Sequence, residues 1–415
     1  MQTISQYPVN YLINEADSLL ARLSQVQPFS MTMPMVKGAS VSGEALKKIT
    51  ELLENSKTAL RKRIYKFIDK IKLLPNADSR ILQAEFSILK LRFNSILDQL
   101  DIFADVLSQR SEHDVGVWLA GLDTLAEDGL EVVKQFLEVP SLMVYLDRGH
   151  GAAIRRARTR LPGGDENPVA VIQIPRERMV GSGIASSLIH EVGHQAAALL
   201  DLVATLKTAL AKKRNEPGDR TAWTYFERWI SEIVCDVWAV GHLGIAATLG
   251  LMGVVTLPRY FQFRIDLNDP HPAPYARVML SCAFGKRIYP HSQWDQLWKM
   301  WKEFYPKKGL KNTVIQELDK IEKDAPLFVD LVLSHSTKEM KGKRLIELFP
   351  VAERRPEDLK QIYQLWKSKK MTLDGMPPTL VFALLGQAKA DLAIDAAIES
   401  GVLTRQLKRW AFNRN

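Results

Sequence analysis

The sequence predicts a mainly α protein with a small sheet, an α+β fold, on three observations. Apolar residues recur at helical spacing through residues 42–138, as in Leu46, Ile49, Leu52 and Leu53, then Ile81, Phe86, Leu89 and Phe93, then Leu97, Leu100, Phe103 and Leu107. Two short β-branched runs, LMVYLD around Ser141–Asp147 and VAVIQI within Pro168–Pro175, are bounded by Gly and Pro. Downstream, helical periods return and persist. With 415 residues and 46% hydrophobic content the chain can bury a large core. It divides by pattern into an N-terminal helical bundle (1–140), a central unit carrying the sheet (141–306) and a C-terminal helical region (307–415).

Taken in order, Pro28–Gly43 reads as a loop, with two prolines, two glycines and several small residues. The bundle helices follow, and then the two strands. Between the strands, Arg155-Arg156-Ala157-Arg158-Thr159-Arg160 precedes Pro162-Gly163-Gly164 and reads as an exposed basic loop that could face a substrate. Val169–Ile174 is placed to be the edge strand of the sheet, where an extended peptide could add as a further strand. Ser182 is expected to cap a helix that runs unbroken to Lys213 and buries Ile184, Leu188, Ile189, Val192, Ala196 and Leu199. A second helix spans Thr221–Val240. From Lys307 onward come further amphipathic helices, broken at Pro350, Pro356 and Pro377-Pro378.

The chemistry concentrates at His190-Glu191-Val192-Gly193-His194. Imidazoles four residues apart share one face of a helix, which is the bite of a zinc site. Zinc takes neutral imidazole nitrogens and, in catalytic sites, keeps one position for water after three protein ligands. Glu191 stands where it could take a proton from that water. On the next helix, Glu232 and Asp236 are one turn apart on a common face, so that one carboxylate could ligate while the other holds a ligand imidazole, most readily His190.

HExxH followed on a later helix by ExxxD resembles the gluzincin clan of zinc metallopeptidases. His271-Pro272-Ala273-Pro274-Tyr275-Ala276-Arg277 is similar to the HPxxxxR segment of its prenyl-protein (CAAX) endopeptidase and heat-shock endopeptidase branch. The likeness covers roughly residues 140–290 and rests on these motifs. It implies a zincin-like catalytic domain around the small sheet, with His190, His194 and Glu232 as zinc ligands and Asp236 behind His190. It further implies His271 as a hydrogen-bond donor to the oxyanion and Arg277 as a residue orienting the site. Tyr260, Tyr275 and Tyr289 remain alternative oxyanion donors. The chain departs from the membrane branch in reading SEIVCD in place of ExEAD and in lacking paired transmembrane helices.

The implied activity is that of a zinc metalloendopeptidase acting on a protein or peptide. An interaction scaffold carrying a structural or inactive zinc site is the alternative. Val237–Leu257 has no charged residue and is long enough to span a bilayer. A span there would put Glu232 and His271 on opposite sides of a membrane, so a buried helix is expected. Charge is uneven: Lys+Arg against Asp+Glu is 16 against 18 in residues 1–140, 20 against 15 in 141–306 and 20 against 14 beyond. This modest basic surplus gives no clear nucleic-acid signature. Cys235 and Cys282 are the whole cysteine complement and are read as packed thiols, which excludes a disulfide framework. Residues 1–27 lack a basic stretch followed by an apolar run, so cytoplasmic residence is expected, with membrane attachment disfavoured. Six of nine tryptophans, Trp223, Trp229, Trp238, Trp294, Trp298 and Trp301, flank the motifs and are expected mostly in the core. Oligomeric state leaves no mark in the pattern.

Overall fold

The computed structural model describes residues 7–74, 77–111, 113–147, 151–176 and 181–414. These form α1 (Tyr7–Ser24), α2 (Phe29–Thr32), α3 (Gly43–Leu73), α4 (Ser79–Ser108), α5 (His113–Asp128), β1 (Leu142–Asp147), β2 (Ala153–Arg155), β3 (Ala170–Pro175), α6 (Gly183–Leu199), α7 (Leu202–Arg214) and α8 (Thr221–Leu243). Then come α9 (Ile245–Val255), α10 (Arg259–Gln262), α11 (Pro274–Ile288), α12 (Gln293–Phe304), α13 (Asn312–Ser334), α14 (Pro356–Lys367), α15 (Pro378–Ala390) and α16 (Ala396–Asn413). The protein is therefore mainly helical with one small sheet. The Pro28–Gly43 loop contains the short α2 and a single 3-10 turn at Lys37–Ala39.

Helices α3 and α4 begin on side-chain caps, Ser42 accepting from the Ala45 N–H at 3.2 Å and Asp78 from the Arg80 N–H at 2.9 Å. They form an antiparallel hairpin with two apolar patches. The far end, Leu60–Ile71 against Leu82–Ile96, packs on α1; the near end, Ala45–Leu53 against Phe103–Leu107, packs on Met143, Val169 and Val171 of the sheet. Because side chains alternate along a strand, Leu142, Val144, Leu146, Ala170, Ile172 and Ile174 point the other way, into the main core beneath α6 and α8. That core is continuous from Trp118 to Trp410. Trp223, Trp229, Trp238, Trp294 and Trp301 are fully buried within it, Trp298 is half-buried, and both cysteines are buried free thiols.

The sheet order is β1-β3-β2, with β1 and β3 parallel (Val144 opposite Ile172) and β2 antiparallel to β3 (Ile154 opposite Ile172). Val169–Ile174 is thus the central strand and not the edge, and Arg155 of the basic run lies in a strand and not a loop. The outer edge of β1 is closed by side chains. Gln109 donates to the Leu146 carbonyl (2.7 Å) and accepts from its N–H (2.9 Å); Asp123 accepts from the Val144 N–H (2.8 Å) and Arg110 donates to the Val144 carbonyl (2.6 Å). Arg110 and Asp123 are wholly buried and paired bidentately at 3.0 Å, and Arg414 donates to the same carboxylate at 2.7 Å. Among the described residues the remaining edge, that of β2, carries no strand.

Two helix expectations change, and the apolar run after Val237 takes the broken form that its glycines allow. The helix from Ser182 stops at Leu199, because Asp201 adopts a left-handed backbone (φ 49°) that turns the chain into α7. Ser182 makes no side-chain cap; the buried Glu399 of α16 instead accepts the Ser182 N–H at 3.0 Å and sits 3.2 Å from Lys389 Nζ. The apolar run after Val237 is split at Gly244, which takes a positive φ (57°) between α8 and α9. Among the described residues no helix is long and apolar enough to cross a membrane.

Candidate metal centre

The site is built where α6, α8 and α11 meet. Gly193 is the reason α6 and α8 can approach: a Cβ there would stand 2.9 Å from the Cys235 Cα and 3.1 Å from the Trp238 Cβ. Gly250 does the same for α9 against Ser186, at 2.4 Å. With the helices this close, the side chains one turn apart on α6 and those one turn apart on α8 face each other.

His190 Nε2 lies 3.2 Å from Glu232 Oε2 and His194 Nε2 lies 3.6 Å from Glu232 Oε1. Donors about 2.0–2.1 Å from one tetrahedral ion stand roughly 3.3–3.4 Å from one another. The two separations, 3.2 and 3.6 Å, lie on either side of that spacing, and imidazole and carboxylate are donor types that zinc takes. Cys235 Sγ also lies within 4.8 Å of the two imidazole nitrogens. The Cys235 thiol donates to the Ser231 carbonyl at 3.1 Å, whereas the two Glu232 oxygens each face an imidazole nitrogen. Burial, reinforced by the carboxylates of Glu232, Asp236 and Glu191, pushes that thiol well above its ordinary pKa.

Behind His190, its Nδ1–H donates to Asp236 Oδ1 at 2.8 Å, and Arg277 from the first turn of α11 grips the same carboxylate through Nε (2.7 Å) and an Nη (2.8 Å). His271 precedes α11, with its ring half-exposed. Its Nδ1–H donates to Asp269 at 2.8 Å and its Nε2 points inward, 3.5 Å from Glu232 Oε2. The three tyrosines lie elsewhere. Tyr275 donates to Glu322 (3.3 Å), Tyr289 to the Gly241 carbonyl (2.6 Å), and Tyr260 is 77% exposed and outside the cleft lining.

The electrostatics follow from burial of mixed charge. Burial acts to lower the His190 pKa, but Asp236 and Glu232 outweigh it and carry the imidazole to about 9. Burial and the neighbouring His190 charge depress His194 to about 4, with Arg156 adding to the effect. Glu232, which burial acts to raise, is brought down to about 2 by the imidazoles. Burial pushes Glu191 up to about 7.

These side chains line a cleft of about 660 Å³ together with Ile154, Arg156, Ala197, Val203, Leu251 and Val254. Its outer wall is β2, the element and the arginine that sequence patterning assigned to a loop. A three-residue strand has too few positions to display a period. A larger cavity, about 980 Å³, lies on the opposite face of α9 and shares no residue with the cleft. Compared with known protein families, curated proteins and solved structures, the chain matches none.

Proposed function

We propose that the protein is a zinc metallopeptidase of gluzincin type, built on a zincin-like arrangement, with His190, His194 and Glu232 as metal ligands. The observation that carries this reading is the convergence of two imidazole nitrogens and one carboxylate, 3.2 and 3.6 Å apart, at the floor of an open cleft that also contains Glu191. A zinc ion held there supplies Lewis acidity and lowers the pKa of a water it binds. Glu191 accepts the proton from the attacking water and returns it to the leaving amine, a task suited to a carboxyl whose burial lifts it toward neutrality. Asp236 fixes the His190 tautomer, with Arg277 holding Asp236 in turn. His271, whose Nδ1–H is given to Asp269, turns its Nε2 side toward the cleft, where it steadies the developing oxyanion.

Glu191→Gln tests this directly. Full-length protein should bind one zinc with or without the substitution, while hydrolysis of an unfolded polypeptide falls by about 10²–10⁴-fold. Near-normal turnover in the variant, or wild-type protein that takes up no zinc, would overturn the assignment. Zinc uptake without hydrolysis by the wild type would leave a structural zinc site in an interaction scaffold.

A further inference from the structure

The metallopeptidase reading leaves the substrate open, and the cleft wall narrows it. Of the two outer edges of the sheet, that of β1 is closed by Gln109, Asp123 and Arg110, whereas that of β2 borders the cleft and, among the described residues, carries no strand; at its end the Arg155 and Arg156 carbonyls accept from Asn167 and the Ala157 N–H donates to Gln195. Ile154 and Arg156, two positions apart and so on one side of the extended chain, both line the cleft. Arg156 is exposed, and among the described residues no carboxylate pairs with it. Of the carboxylates nearby, Asp236 is engaged by Arg277 and His190 and Glu232 by the imidazoles, while Glu191 is buried. Besides the metal ligands and Glu191 the lining holds Arg277, paired with Asp236, and His271, paired with Asp269; the rest is apolar or small, so among the described residues Arg156 is the cationic side chain of the wall with no carboxylate on it.

We propose, resting on that reading, that Arg156 selects polypeptides with Asp or Glu beside the bond to be cut, the peptide lying along the β2 edge. A guanidinium binds a carboxylate bidentately, and the same charge repels Lys and Arg, so preference and rejection act together. The net positive charge of residues 141–306 favours approach of the same substrates.

The test uses full-length, zinc-loaded protein and internally quenched peptides that differ at one position among Glu, Ala and Lys. Wild type should prefer Glu over Lys by roughly tenfold in kcat/KM, and Arg156→Glu should invert the order. Independently of catalysis, fluorescence anisotropy of the same peptides on Glu191→Gln protein, with and without zinc, should show tighter binding of the Glu peptide, an advantage lost in 0.5 M salt, a concentration of about three times physiological ionic strength. Acid-selective binding that disappears in the Glu191→Gln, Arg156→Glu double variant supports Arg156 even if no peptide is hydrolysed, an outcome that would sink only the peptidase reading. Hydrolysis and binding indifferent to charge, or a preference unchanged by Arg156→Glu, would overturn the present proposal alone.

Discussion

Two clusters of buried charge stand on either side of the main core, and they differ in where their polar atoms point. Under β1, Arg110, Asp123 and Arg414 turn toward one another and toward the Val144 backbone, and every Asp123 oxygen is used twice. Only the Arg110 Nε–H of that guanidinium lacks a partner. On the α6–α8 side, Asp236 and Arg277 are similarly closed, but His190, His194 and Glu232 aim their remaining atoms at one shared point beside a cleft. A closed cluster joins elements; the open one presents imidazole and carboxylate atoms to the cleft.

Substitutions should separate the two. The largest effect is expected from Asp123→Ala, which leaves the Arg110 guanidinium buried without its carboxylate while Arg414 keeps Glu127, and should cost about 3–5 kcal/mol in urea unfolding. Zinc stoichiometry of the folded fraction should be unchanged. A cost below about 1 kcal/mol would mean that this cluster is not the structural member of the pair.

Gly193→Ala acts between the helices of the open cluster. Its methyl would meet the Cys235 Cα, so α8 must retreat, at about 1–3 kcal/mol, and Glu232 retreats with it. Unfolding and zinc titration should both move. Loss of stability with zinc affinity intact would detach the helix spacing from the metal.

Asp236→Asn keeps the shape of the side chain and removes the charge that holds His190. Zinc affinity should fall about 10–100-fold, read by competition with a chromophoric chelator. If affinity is unchanged, Asp236 belongs with the closed cluster and not with the metal.

The smallest effect is graded with pH. Zinc must displace the His190 proton, so affinity should rise by up to about tenfold per pH unit from neutrality to about 9 and then level off. Calorimetry in buffers of different ionisation heat should report about one proton released per ion near pH 8. In the metal-free protein the sign is opposite for stability. The raised His190 pKa contributes below the unfolded value of 6.5 and is lost as pH climbs through about 9.

Much of this was open to reading in the chain, because it depends on local spacing. Helical intervals of four put His190 with His194 and Glu232 with Asp236 on single faces whatever surrounds them. The strands at Leu142–Asp147 and Ala170–Pro175 show as β-branched runs. The break at Asp201 did not show, since neither Gly nor Pro marks it and an Asp tolerates the left-handed turn. β2 was too short to register. Glu399, which takes over the start of α6, is 217 residues from Ser182, and no local pattern announces such a pairing.

By itself, then, the sequence determines which side chains share a helix face, where apolar periods run, and that two helices each offer a pair of candidate ligands. Tertiary structure alone decided that β3 is central and β2 the open edge, that Arg156 enters the cleft, and that Gly193 lets α6 and α8 close on one point. The reason is physical: face-sharing follows from the 3.6-residue turn, whereas strand order and helix approach are set by long-range packing whose partners lie tens to hundreds of residues apart.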